Sequence, residues 1–497
     1  MKKCSLILLV LSLVLSQYTM ISCESTVPPK EPAAAEGTES VAETAENPLD
    51  ENGFLKDDLP VDLDLGGKDV TIYVRGDTLD TEFYGELTGE IVSDALYNRN
   101  LTIEERLNTK LTYFANTSAD FWTDRNLYMD TVRSAVMSND NTIDLIAGLS
   151  VLMPMMTQEG LFRNLMGDNV PYLDYEKPWW PAHLIDELAI SDRLYFVSGE
   201  ASLGVIKGMM CYYFNQDMIT DLQLDNPYDL VSEGTWTLDT FNEMAVSAYV
   251  DHNGDGNTDE NDQFGFVIQN ENHATNFVNS SGLKVAQRDD NGIPQVMLGS
   301  EAIINLTERF NGYMKQPGFA TKADQSAAYS TMFQDNLTLF ATGEFGNAET
   351  YRETEFTFGI IPFPKYSAEQ SEYVTSARST FSGFAVPVSA DLTTCAAVLE
   401  ALASESYRQV TPAYYESALK TKYSRDDISA QMFDLIKAGV CYDFGIIFAQ
   451  IMDSPTVTLR GYIGFDRGSW ATQWASIEKA VNNKLSEYIE TVISLKQ

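Results

Sequence analysis

The chain has 497 residues, is 44% hydrophobic and 11% aromatic, and carries 72 acidic against 33 basic side chains, for a net charge of −39. That excess of acid argues against nucleic acid or anionic lipid as a partner, since both need a basic face. Its five cysteines form no C-x-x-C pair, which excludes a disulfide scaffold and a Cys-rich zinc site.

The start of the chain reads as a secretory signal. Met1-Lys2-Lys3 precedes an apolar run over 6–15, and Met20-Ile21-Ser22-Cys23 puts a small residue before a cysteine. The run is too short for a membrane span, which needs about 20 residues. The arrangement resembles a bacterial lipoprotein signal, with Met20 where the usual pattern has Leu. The resemblance implies that 1–22 is removed and that Cys23, lipidated on its thiol, anchors the protein to the cell membrane on its outer side. Residues 23–66 are then expected to be a lipidated cysteine followed by an acidic, disordered tether. Glu24, Glu31, Glu36, Glu39, Glu43, Glu46, Asp50 and Glu51 alternate there with Ala, Pro, Thr and Ser, too polar a mixture to bury a core. About 430 residues remain, typical of two or three domains. Cys211, Cys395 and Cys441 are left as small, buried apolar side chains.

The folded part opens at 68–74, where Val70, Ile72 and Val74 alternate as in a strand. Arg75-Gly76-Asp77 turns off its end. A helix is predicted over 86–108, a strand over 111–114, a helix through Leu127, Val132 and Val136, and a strand over 143–147 ending at Gly148 and Ser150. Strand–helix–strand–helix–strand predicts a parallel α/β sheet. Ligands in such sheets sit at the carboxyl ends of strands, which points to Arg75, Asp77, Gly148 and Ser150. Further strands are predicted over 194–197, 205–213, 264–268, 337–340, 357–363 and 383–388. Helices are predicted from Thr235 to about 250, over 301–315, across most of 394–438, and from about 470 to the end. Thr237 is placed to cap the first of these.

One loop has the pattern of a cation site. In 251–262, Asp251, Asn253 and Asp255 fall at positions 1, 3 and 5, Gly256 at 6, Asn257 at 7 and Asp262 at 12. That is the spacing of an EF-hand Ca²⁺ loop, in which close-set oxygens surround a hard cation. Asp262 replaces the usual Glu, and a strand pattern follows instead of a second helix. The expectation is a structural Ca²⁺ staple and not a switch.

Several stretches then resemble the carbohydrate-type (family 1) extracellular solute-binding proteins of bacterial ABC transporters. They include Lys177-Pro178-Trp179-Trp180, Tyr213-Phe214-Asn215-Gln216-Asp217-Met218 followed by Gly234-Thr235-Trp236-Thr237, the Asn-Gly-Asp-Gly loop before Gln263-Phe264-Gly265, Phe358-Gly359-Ile360-Ile361-Pro362-Phe363-Pro364 and Thr411-Pro412-Ala413-Tyr414-Tyr415-Glu416. The likeness spans about 69–490. It implies an α/β type II periplasmic-binding-protein fold, two α/β lobes joined by a hinge with a ligand cleft between them. Lobe 1 would comprise 67–199 and 381–460, and lobe 2 would comprise 200–380 with a C-terminal helix in 461–497.

By that resemblance Arg75, Asp77 and Ser150 face the cleft, Glu200 sits at the first crossing between lobes, and Asn347 and Glu349 follow a cleft-facing strand. Trp179 and Trp180 are candidates to stack on a sugar face. The protein is then expected to be not an enzyme but a monomeric receptor for a small solute, a sugar or oligosaccharide, which it passes to permease subunits. Two alternatives stand beside this: an extracellular carbohydrate-active enzyme, which needs two carboxylates about 5–10 Å apart, and a surface sensor or adhesin lipoprotein on the same fold.

Overall fold

The computed structural model describes residues 48–116, 121–139, 141–321, 331–423, 426–464 and 467–495. The chain divides into two units, Met1–Pro48 and Leu49–Gln497, and the fold below is that of the second. The expected signal, Cys23 and the first half of the tether lie outside the described residues.

Two sheets organise it. The first contains β1 (Lys68–Val74), β2 (Thr109–Ala115), β3 (Leu145–Leu149) and β9 (Ser382–Ala385). The second contains β4 (Met210–Asn215), β5 (Phe264–Ile268), β6 (Phe319–Thr321), β7 (Thr338–Glu344) and β8 (Phe358–Ile361). In the first, β1 runs parallel to both β2 and β3, with Ile72 opposite Tyr113 and Leu145, and β9 joins β3 antiparallel. The helices Ile91–Leu107 and Arg125–Ser138 make the crossovers. Val70, Ile72, Tyr73 and Val74 are all buried, so β1 is covered on both faces, as a parallel strand between helices must be.

In the second sheet the order is β8-β4-β7-β5-β6. β5 lies parallel to β6 and β7, and β4 is antiparallel to β7 and β8. The helix Leu238–Ser247 lies tight against β5, where a Cβ on Gly265 would sit 1.8 Å from the Ala245 carbonyl oxygen. The Thr237 hydroxyl caps this helix through the Thr240 amide, as the sequence predicts.

The chain leaves the first sheet after β3, builds the second, and returns at β9. The two crossings are hydrogen-bonded to one another. Ser198 Oγ donates to the Ser382 carbonyl at 2.7 Å, and the Ser382 amide donates to Ser202 Oγ at 3.0 Å. The final helix, Trp470–Ser494, packs on both Met153–Gln158 and Glu301–Met314, so it belongs to no one sheet's layer.

Three sequence expectations are corrected. The stretch 205–213 is not one strand: a helical turn, Gly204–Lys207, precedes β4, and Gly208 allows the close approach of Arg378. The stretch 194–197 is not a strand but a segment with one isolated bridge, Val197 to Phe384. The tether does not extend to 66, because its last part is packed. Asp57 is buried, Arg106 donates to both of its carboxylate oxygens, and Ser404 Oγ donates to it at 2.6 Å. Burial would raise this carboxyl, but Arg106 and Ser404 outweigh it and hold it low. The Leu65 and Gly67 amides also donate to the end of the helix Ile91–Leu107. Cys211 and Cys395 are buried as expected, Cys441 is half-buried, and all three are free.

Candidate functional site

The carboxyl ends of β1 and β3 meet the returning crossing. Arg75 is buried beyond the end of β1; its Nη1 donates to the Thr380 carbonyl at 2.7 Å, and its Nε donates to Asp77 Oδ1 at 3.1 Å. Its guanidinium lies 5.3 Å from the centre of the Phe121 ring. Ser150 is fully buried, and its Oγ donates to the Ser379 carbonyl at 2.8 Å. Beneath them the Glu82 carboxylate accepts from Ser202 Oγ and the Gly204 amide. Burial pushes the Glu82 carboxyl up, against the charge of Arg75. Arg75 and Ser150 are thus brought together, but as grips on 379–380. Asp77 is half-exposed beside them.

On the other side of the same crossing, residues from the carboxyl ends of β5 and β7 line a polar cavity of about 230 Å³. Gln269, Asn270 and His273 follow β5, while Glu344, Asn347 and Tyr351 end or follow β7. These two strands are parallel, so both deliver their ends to one place. His273 lies 2.9 Å through Nδ1 from Thr342 Oγ1 and 3.0 Å through Nε2 from Glu344 Oε1. Arg378, from the crossing, donates to the same Glu344 oxygen at 3.2 Å. Burial works to raise the Glu344 carboxyl, but His273 and Arg378 outweigh it and keep it below its ordinary value. Asn347 Oδ1 accepts the Glu344 amide at 2.7 Å. Gln269 accepts the Tyr351 hydroxyl on Oε1, and its buried Nε2 has no partner among the described residues.

The remaining candidates lie elsewhere. Glu349 pairs with Lys207 at 2.7 Å. Glu200 accepts the Thr411 hydroxyl, and burial raises its carboxyl. Trp179 and Trp180 are corrected from stacking candidates to core residues. Both are buried, and their indole N–H groups donate to the two oxygens of Glu400 at 3.0 and 2.9 Å. That carboxyl is pushed up to about 8, first by burial, with the two indoles pulling the other way.

Of the residues that the sequence points to, Asn347 alone lines this cavity; Gln269, His273, Glu344 and Arg378 were not singled out. Gln269 and Asn270 follow the predicted strand 264–268, and the carboxyl-end rule that singled out Arg75 applies to them equally. Arg378 carries no local signal, because it enters from a crossing.

The acidic loop lies between the helix Leu238–Ser247 and β5, the helix–loop–strand order expected. Asp251 accepts the Gly254 and Gly256 amides at 2.7 and 2.9 Å, with both glycines at positive φ. Asn253 accepts the Asp255 amide and Asp255 accepts the Asn257 amide. Asp262 is fully buried and accepts from the Tyr249 hydroxyl and the His252 and Asp259 amides. Among the described residues no three His, Cys, Asp or Glu side chains converge as a metal site.

No family model matches the chain, and no curated protein matches it. Solved structures do. The chain aligns over 86% of its length with the whole of an ABC substrate-binding protein from Listeria monocytogenes in complex with cycloalternan, at 11% identity and a TM-score of 0.51. It aligns over 85% with the whole of a family 1 extracellular solute-binding protein from Bifidobacterium longum subsp. infantis, at 12% identity and a TM-score of 0.53. The fold is that of the family 1 extracellular solute-binding proteins. UgpB from Mycobacterium tuberculosis, in complex with glycerophosphocholine, shares this solute-binding fold over 82% of the chain and 99% of its own length, at 14% identity and a TM-score of 0.55. At such identities the likeness is one of fold. Among the described residues no helix is long and apolar enough to cross a membrane.

Proposed function

We propose that this chain is an extracytoplasmic receptor that captures a small hydroxyl-rich solute of the sugar class and delivers it to an ABC import permease, held at the membrane by a lipid on Cys23. The observation that carries the reading is the polar cavity at the paired ends of β5 and β7, set against the crossing between the two sheets in a solute-binding fold. Its lining suits hydroxyls. Glu344 and Asn347 offer acceptor oxygens, Gln269 offers an amide donor without a partner among the described residues, and Arg378 adds charged donors. Closure of the cleft would turn on the two hydrogen-bonded crossings, a hinge motion in which a few residues absorb the change. Arg75 and Ser150 then serve the hinge by holding 379–380. The Ca²⁺ staple expected of the acidic loop is a separate proposal, since a cation there would have to draw Asp251, Asp255 and Asp262 together and off the amides that they now accept.

Native mass spectrometry of the purified protein tests this first, since a tight receptor carries its solute along. Calorimetry against neutral and charged glycans follows. Silence across a broad panel, or turnover of any glycan, would sink the proposal.

A further inference from the structure

Arg378 and Arg460 line one narrow cavity of about 20 Å³, together with Asn272, Thr275, Ser376 and Thr380. The two guanidiniums are near enough for the charge of Arg378 to bear on Arg460. Arg378 has one carboxylate, Glu344, which it shares with His273. Its Nε is buried and has no partner among the described residues. Arg460 donates Nε to Thr275 Oγ1 at 2.7 Å. Among the described residues no carboxylate lies within ion-pairing distance of it, and the exposed Glu271 acts on it only from further off.

Two like charges set side by side and partly buried are costly unless an anion joins them. Guanidiniums present fixed forks of donors that match the oxygens of a carboxylate or a phosphate. The slot has room for one or two oxygen-sized groups and none for a sugar ring. The 230 Å³ cavity, lined by the same Arg378, has room for more.

We propose that the captured solute is acidic: its hydroxyl-rich part lies in the larger cavity and its anionic group, a carboxylate or a phosphate, reaches the slot between Arg378 and Arg460. The proposal rests on the capture reading above and adds the charge of the solute. It also gives Arg460 a role as a specificity-determining contact. Chemically this is a uronic-acid sugar or a sugar phosphate.

Calorimetry on the full mature chain tests it with matched ligands: oligogalacturonides, their neutral galacto-oligosaccharide counterparts, sugar phosphates and the same sugars without phosphate. The expected result is one acidic member bound roughly 10- to 100-fold tighter than its neutral counterpart. The carboxylate and phosphate arms tell the two sources apart. Arg460→Gln should abolish the difference and Arg460→Lys should retain most of it. The matched-pair ratio on the unsubstituted protein needs no variant, so a misfolded substitution leaves the test intact. Neutral sugars bound as tightly as acidic ones would overturn the acidic preference while capture stands. No binding by any member would overturn both.

Discussion

Glu400 should make the stability of this protein fall as the pH rises through neutrality. Its carboxylate is buried in the core, where it accepts the indole N–H groups of Trp179 and Trp180 and feels the charge of Asp57. Burial moves it from an ordinary 4.5 to about 8. A carboxyl whose folded value is raised contributes fully below its unfolded value and loses that contribution as the pH climbs through the folded one. At about 1.4 kcal/mol per pH unit, the loss between pH 5 and pH 8 is roughly 3.5 kcal/mol. Glu400→Gln removes the titration. Its amide accepts one indole but turns an N–H toward the other, leaving a buried donor unmet at a cost of about 1–3 kcal/mol. The variant should therefore be less stable than the native chain at pH 5, and the difference should close or invert by pH 8. Urea midpoints for both proteins from pH 5 to pH 9 measure this, and the difference between them cancels every other titrating group. Two parallel profiles would refute the reasoning, since Glu400 would then ionise in the fold as it does in water.

Other outcomes are expected. Asp57→Asn leaves Arg106 facing a neutral, buried partner and should lower stability by roughly 3–5 kcal/mol, read as a fall in the urea midpoint. Because the Asp57 carboxyl is held low, its contribution is present above pH 4 or so and fades only in acid, the opposite slope to Glu400. Thermal melts in Ca²⁺ and in chelator should differ, and Asp251→Ala should erase the difference; identical melts would remove the metal from the reading. Cys23→Ser should release the protein into the medium with its solute affinity unchanged, measured by calorimetry on the released chain.

The elements of the first sheet were legible because their signals are local. Val70, Ile72 and Val74 alternate, the helices between strands carry apolar stripes, and the ends follow from the topology. The site was only partly legible, because it is assembled from separate connections. Asn347 follows a readable strand, but Arg378 and Arg460 enter from a crossing and from the helix Pro455–Ile463, and nothing near them in sequence says that they meet. Trp179 and Trp180 misled for a related reason. Adjacent tryptophans suit a sugar face as well as a core, and the deciding residue, Glu400, stands more than 200 positions away. The acidic run misled at its end, since composition alone does not show that Asp57 is buried with an arginine waiting for it.

The Asp57 clamp bears on mechanics. For a chain held through Cys23, any pull from the membrane enters the body where Arg106 and Ser404 grip Asp57, on the helices Ile91–Leu107 and Leu392–Glu405. Neither helix supplies a residue to the cavity or to the serines that join the crossings. On the capture reading, load is then taken up by the frame, and the proposed hinge is left to answer to the solute alone.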